Sequence, residues 1–315
     1  YQRKFITLEN LFLVLLCITE LMVPVASAAA RTAAPLGGGN LGDHAPPNSL
    51  ETSSCGSPCA LVVYAYHDRE FVAAGRHGSA TDNLRFFIEH GVIRHSTGTT
   101  AAVLRNHVFV VVCQGMPAPA FVPRDRVLIL ERENSGLDFE AWYHGVHAAL
   151  AATGTAQKYP AQSVASWFPL IKKHFDSFVF INSSVRGPYL PLWFHNLGVS
   201  WTTALTGGLN ERVKLVGTTM NRCGKNGGWR LLPLSCSAPH VQSMVFATDT
   251  VGLELLFLPT EALALPIFAV RNWRNYSDTI KELEIGMSEA FRNAGFGVRA
   301  VSLLLPPLAS SCCLY

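Results

Sequence analysis

At 315 residues, with 49% hydrophobic and 15% charged side chains, the chain can bury the core of one large α/β domain or two small ones, which excludes global disorder. The formal net charge is +3, and Lys and Arg are scattered rather than gathered in a stripe. That pattern lacks the electrostatic footprint of a nucleic-acid binder, so no nucleic-acid partner is expected, while a small anionic ligand stays open. The eight cysteines, at 17, 55, 59, 113, 223, 236, 312 and 313, show no paired C-x-x-C spacing and argue against a structural zinc site.

Residues 1–30 open with Arg3 and Lys4, then an apolar run over 11–19, Glu20, a second apolar stretch, and Ala26-Ser27-Ala28, which has the small-x-small form of a signal-peptidase site. Two readings stand side by side. One is a cleaved signal. The other is a single-pass membrane anchor, for which 11–30 has the required length of about 20 residues, with Glu20 costing roughly 2.5–3.5 kcal/mol near the middle. Residues 31–57 are rich in Ala, Gly, Pro, Ser and Asn and read as a flexible stalk, because they cannot bury enough apolar surface to offset their ordering entropy. A folded domain is expected over 58–305, starting at Cys59, followed by a tail over 306–315. Cys55 with Cys59, and Cys223 with Cys236, bracket short segments that a disulfide could close in an oxidising compartment; free thiols are the alternative.

Residues 60–66 form a continuous apolar, β-branched run, as expected of a central strand buried on both faces. A helix follows over 82–90, with Leu84, Phe87 and Ile88 on one face and Gly91 as its stop. Strands are predicted over 108–113, 127–131 and 178–181, with helices over 139–152 and 161–174 between the last two. Further strands are expected over 213–217 and 241–247, and helices over 251–258 and 277–293. Strands alternating with helices predict an α/β domain with a mostly parallel sheet flanked by helices, a single Rossmann-related unit.

Ligands of open α/β sheets bind beyond the carboxyl ends of the strands. The residues to inspect are therefore Tyr66, His67 and Asp68 after the first strand, Gln114 and Gly115 after the second, 132–138 after the third, and 182–188 after the fourth. In the third segment Gly136 permits a tight turn, Asn134 offers an amide, and Asp138 could bind ligand or merely cap the next helix. In the fourth, Asn182, Ser183 and Ser184 precede Arg186, whose guanidinium can fork onto a phosphate oxygen. Asn182-Ser183-Ser184 also fits a glycosylation sequon, though an inaccessible one at a strand end; Asn275 is the better acceptor. There is no Gly-x-Ser-x-Gly elbow and no Gly-x-Gly-x-x-Gly loop, which argues against a serine hydrolase and a nicotinamide enzyme.

Five segments carry a resemblance: 61–67 (Leu-Val-Val-Tyr-Ala-Tyr-His), 83–91, 132–142 (Arg-Glu-Asn-Ser-Gly-Leu-Asp-Phe-Glu-Ala-Trp), 180–188 and 240–244 (His-Val-Gln-Ser-Met). Their order resembles GT-A type glycosyltransferases, especially the rhamnan-synthesis-protein-like and family 2-like nucleotide-sugar transferases, over roughly residues 60–300. The resemblance implies a GT-A-like fold and transfer of a hexosyl or deoxyhexosyl group from a nucleoside-diphosphate sugar to a glycan, lipid-linked or protein acceptor. It implies a donor site made of Tyr66, His67, Asn134, Gly136, Asp138, Asn182, Ser183, Ser184 and Arg186, and a Golgi membrane location with a lumenal catalytic domain, or secretion.

Asn182-Ser183-Ser184 stands where many such enzymes carry an Asp-x-Asp metal motif. An amide and a hydroxyl are poor ligands for Mg²⁺ or Mn²⁺, so no metal-binding residue is assigned and metal dependence stays open. Arg186 or helix dipoles are the alternative stabilisers of the leaving diphosphate. Candidates for the base that takes the acceptor proton are His240 first, then Asp249, with Glu284 as a further carboxylate. Trp142, Trp193 and Trp201 are candidate stacking surfaces for sugar rings. The competing function is a catalytically inactive GT-A-like domain that binds a glycan or assists a partner enzyme.

Overall fold

The computed structural model describes residues 59–68, 70–73, 76–93, 107–153, 164–188, 200–221, 239–259, 266–268 and 280–301, all within the compact unit Pro47–Val301. The expected leader or anchor (1–30), stalk (31–57) and tail (306–315), and Cys55, Cys223, Cys236, Asn275 and Trp193, lie outside them. Among the described residues no helix is long and apolar enough to cross a membrane.

The framework is a seven-stranded sheet. β1 is Ala60–Tyr66, β4 His107–Gln114, β5 Val127–Arg132, β6 Ser177–Asn182, β7 Val213–Gly217, β10 Val245–Asp249 and β11 Gly297–Ala300. Their spatial order is β11-β7-β10-β6-β1-β4-β5. β1 pairs in parallel with β4 and β6, β4 with β5, and β7 with β11, while β10 runs antiparallel to both neighbours. The fold is thus α/β with a mixed, mostly parallel sheet, as the alternation of elements predicted. β1 is buried at every position, which explains its unbroken apolar run: helices cover both faces of a central parallel strand. Two short hairpins, Glu70–Ala73 (β2) with Arg76–Ser79 (β3), and Met220–Asn221 (β8) with His240–Val241 (β9), stand outside the main sheet.

Successive β1 side chains point to opposite faces. Tyr64 packs on Phe87 of α1 (Ala80–Phe87), whose N-cap Ser79 accepts from the Asp82 amide at 3.0 Å. Val63 instead meets α2 (Leu137–Ala152), where Gly145 lies so close that a Cβ would clash with the Val63 side chain. The α2 positions Phe139, Trp142, Val146, Ala149 and Leu150 recur at helical spacing and are buried. Trp142 centres this layer, packing on Phe139, Phe180, Phe246 and Phe268. α3 (Phe168–His174) and α5 (Thr250–Phe257) join it through the contact of Phe168 with Phe257. The short α4 (Thr203–Thr206) and α6 (Gly286–Asn293) are further α-helices, and π-helical stretches Ile88–Ile93 and Ile280–Ile285 run on from α1 and into α6.

The structure departs from the sequence expectations at several points, among them Gly91, which lies inside the helical stretch Ile88–Ile93 instead of stopping the helix, and the added strand β8. The strand expected over 241–247 is two strands, because Gln242 and Ser243 turn aside: the Gln242 amide donates to the Thr219 carbonyl and Ser243 bonds to Glu284, so these polar residues stay out of the sheet. β11 and the β2–β3 hairpin are additional. Asp138 does not cap α2. Gly136, at φ 66°, holds that position without a side-chain bond, and Asp138 lies inside the first turn.

Candidate active site

Running outward from β1, β4 and β5 are laid down on one side and β6 on the other, so the strand order reverses between β1 and β6. A crevice opens at such a switch point beyond the carboxyl ends of the strands. The loops after β1 and β6 meet there: the His67 amide donates to Ser183 Oγ at 3.5 Å, and Ser183 Oγ donates to the His67 carbonyl at 3.2 Å. Asn182 is only 7% exposed. Its Nδ2 donates to Asp138 Oδ2 at 3.2 Å, and its Oδ1 accepts from the Ser184 amide at 3.1 Å and from the Ser184 hydroxyl. Tyr66 is joined to the same edge through Thr81, whose Oγ1 lies 2.8 Å from the Tyr66 hydroxyl and donates to Asp68 Oδ1 at 3.0 Å. Tyr66, His67, Asp138, Asn182, Ser183 and Ser184 are therefore brought together. Asn182 is buried and its Nδ2 is bonded to Asp138, in keeping with the poor accessibility expected of its strand-end position.

The turn carrying Asn134 and Gly136 rises from β5 on the same edge. Gly136 and Leu137 both adopt left-handed backbone, at φ 66° and 55°, and a Cβ on Gly136 would clash with the Glu140 carboxylate. Arg132 reaches beneath the turn to the Ser135 carbonyl and hydroxyl (3.0 and 2.7 Å) and to Glu140 Oε1 at 2.5 Å. Sequence reasoning missed both Glu140 and Asn83. The Asn83 side chain, on α1, donates to the Ser183 carbonyl at 2.9 Å; a polar residue on the buried face of an amphipathic helix was the available signal.

Arg186 is placed elsewhere. The chain after Ser183 runs back along α1, and the Arg186 guanidinium rests 4.8 Å above the Phe86 ring, one helical turn from Asn83 and about 5 Å further from the crevice edge.

His240 and Glu284 lie on the crevice edge, toward β7. β8 follows the carboxyl end of β7 and pairs with β9, and the Asn182 amide donates to the Met244 carbonyl at 3.0 Å. His240 Nε2 is 3.6 Å from Glu284 Oε1, and Glu284 Oε2 accepts from the Ser243 hydroxyl at 2.5 Å and its amide at 3.2 Å. Burial raises the pKa of the Glu284 carboxyl, but the hydrogen bonds from His240 and Ser243 and the imidazole charge outweigh it and hold the group below its ordinary value of 4.5. The ionised form therefore stabilises the fold above that value, and the contribution disappears as pH falls through the lowered folded-state pKa. Acid titration should show the stability gap between the native chain and Glu284→Gln closing only below pH 4.5. A gap that closes near neutrality would contradict this assignment.

Asp249 is corrected from candidate base to structural residue. It pairs in register with Ser177, at the amino end of β6, about 17 Å from the Asn182 level at 3.3 Å per residue. There it caps α5, accepting from the Gly252 amide at 2.9 Å, and pairs with Lys214 at 2.6 Å. Trp142 and Trp201 are core residues, 0% and 4% exposed, and offer no face to a sugar. Cys113, free and buried, has its thiol pushed up to about 12 by burial and by Glu131, which leaves it inert as a nucleophile.

The crevice residues do not suit a resident Mg²⁺ or Mn²⁺. In the 182–184 turn the Asn182 amide oxygen already accepts two bonds and the Ser183 hydroxyl is engaged by His67, which leaves Asp138 as the single carboxylate reaching it. A hard divalent cation needs several uncommitted oxygens. Among the described residues there is no group of three metal-binding side chains.

No protein-family model matches the chain, and no curated protein matches it. Solved structures with similarity include glucosyl-3-phosphoglycerate synthase from Mycobacterium tuberculosis in complex with Mn²⁺, UDP-glucose and glycerol 3-phosphate, at 17% identity over 82% of this chain and 74% of that one, with TM-score 0.38. The same enzyme with Mn²⁺, UDP-glucose and phosphoglyceric acid gives 16% identity, 83% and 76% coverage, and TM-score 0.37. A further mycobacterial protein gives 15% identity, 78% and 66% coverage, and TM-score 0.37.

Proposed function

We propose that this chain is a glycosyltransferase that binds a nucleoside-diphosphate sugar in the switch-point crevice and passes the sugar to a glycan, lipid-linked or protein acceptor. The observation that carries the reading is the convergence of three loops at one strand edge, tied by the Asp138–Asn182 and Ser183–His67 bonds. Such a crevice suits a ligand with one polar end and one phosphate end. In this reading Asn134, Gly136 and Asp138 line the nucleotide side, while Tyr66, His67 and the 182–184 turn line the diphosphate side. The positive end of the α2 dipole offsets part of the leaving charge.

His240 is the proposed base: its imidazole takes the proton of the acceptor hydroxyl as the oxygen attacks the anomeric carbon and the nucleoside diphosphate departs, while Nε2 stays turned toward the Glu284 carboxylate. Glu284 supports the imidazolium so formed. A lumenal, Golgi-type location accords with the leader-like composition of 1–30 and with a disulfide at Cys59.

The test is calorimetric titration of the full chain with UDP, GDP and dTDP, followed by donor turnover. Binding of one nucleotide, with turnover lost in His240→Gln at unchanged nucleotide affinity, is the expected result. A folded chain that takes none of the three would sink the reading. A second reading, a silent GT-A-like domain that binds a glycan, is favoured by one observation: every side chain of the 182–184 turn is already bonded within the protein. It predicts nucleotide binding without turnover, or glycan binding alone.

A further inference from the structure

The least exposed carboxylate near the crevice has no part in the chemistry above. Glu140 is 3% exposed and accepts from Arg132 Nη2 at 2.5 Å and from Ser135 Oγ at 3.0 Å. Arg132 also donates to Gln114 Oε1 at 3.3 Å and to the Ser135 carbonyl at 3.0 Å. His144, one turn along α2, comes within 3.6 Å of Glu140, but burial and the Arg132 charge lower its pKa, so at neutral pH the cation facing Glu140 is Arg132. The turn these groups brace is strained: two successive residues hold positive φ, and one of them, Leu137, is not glycine. Left-handed backbone at a residue with a side chain is disfavoured and persists only where its surroundings over-determine it.

We propose that the buried Arg132–Glu140 pair is a positioning device for the nucleotide loop, locking the 133–138 turn so that Asn134, Gly136 and Asp138 face the crevice before ligand arrives. The inference rests on the donor-site reading above. Buried ion pairs are seldom net stabilisers, because the desolvation of two charges offsets their attraction. A pair that contributes little to stability yet organises a strained turn acts on geometry. The turn is then held in place in the free protein, and nucleotide binding is spared the ordering cost of the loop.

The second buried pair, Lys214–Asp249 at the opposite sheet edge, supplies the control. Glu140→Gln in the full chain should weaken binding of whichever of UDP, GDP or dTDP the native chain takes by roughly tenfold or more, as misplaced binding groups do, and should speed hydrogen exchange at the 133–138 amides. Lys214→Met should lower Tm while leaving affinity and exchange in that turn unchanged. The double variant Arg132→Met/Glu140→Leu removes both charges, so it is expected to fold even where Glu140→Gln does not, and to bind as weakly. Native-like affinity in both Glu140 variants overturns the inference alone, as does equal weakening by Lys214→Met. Absence of nucleotide binding by the native chain overturns the donor-site reading and this inference with it.

Discussion

Replacing Trp142 with alanine lowers the stability of the folded unit by about 3–5 kcal/mol, the range for truncating a large aromatic in a packed core. Its ring touches four other aromatic rings drawn from α2, β6, β10 and the 266–268 segment, so the void cannot be closed by moving any one element. The indole Nε1 also donates to the Ile181 carbonyl at 3.1 Å, a bond contributing about 1 kcal/mol. For a unit of this size the midpoint should drop on the order of 10 °C, read by thermal unfolding followed by circular dichroism. A fall of a degree or two would mean that the aromatic layer repacks around the gap. Trp142→Phe, which keeps a ring but loses the bond, should fall between the two.

The second large effect is on ligand. Asp138→Ala is expected to weaken nucleotide binding about 10- to 100-fold, the loss of one charge-assisted hydrogen bond. The mechanism passes through Asn182, whose amide is oriented from both ends: its oxygen faces Ser184 and its nitrogen faces Asp138. Without the carboxylate, the buried Nδ2 has lost this acceptor and the amide is no longer fixed, so the diphosphate side loosens with the nucleotide side. Asp138→Asn separates the two contributions, since its side-chain oxygen can still accept from Asn182. Near-native binding by Asp138→Asn would assign the effect to geometry, and a loss equal to that of alanine would assign it to charge. Unchanged titrations in both variants would remove Asp138 from the site.

Much of this architecture was legible in the sequence because its central strands carry unusually uniform signals. Residues 60–66 and 108–113 are apolar without a break, and 213–217 appears in the structure with the expected limits. The direction of β10 was not legible, since the apolar content of Val245-Phe246-Ala247 is the same for a strand running either way; what reverses it is the turn at 242–244. That reversal carries Asp249 to the far edge, so a residue that looked catalytic by type is a helix cap by position. For Asp138 the sequence left two roles open, ligand binding and a helix cap, and the cap is set aside because a glycine in left-handed backbone holds that place. Glu140 was hidden because a glutamate early in a helix ordinarily reads as a solvated residue favoured by the dipole, and nothing local shows that Arg132, eight positions back, will meet it beneath the loop.

The place of β10 in the sheet also bears on how the chain is made. β1, β4, β5 and β6 emerge first and can pair among themselves, but the outer edge of β6, Ser177–Asn182, is closed only by β10, which begins about 60 residues later. At roughly 5–20 residues per second, the nascent protein leaves the Phe178-Val179-Phe180-Ile181 edge unpaired for about 3–12 s. The β1 edge that faces β6 waits longer still, because β6 begins only at Ser177, so these two intervals are when the growing chain most needs a chaperone and when crowded ribosomes would most readily join two copies edge to edge.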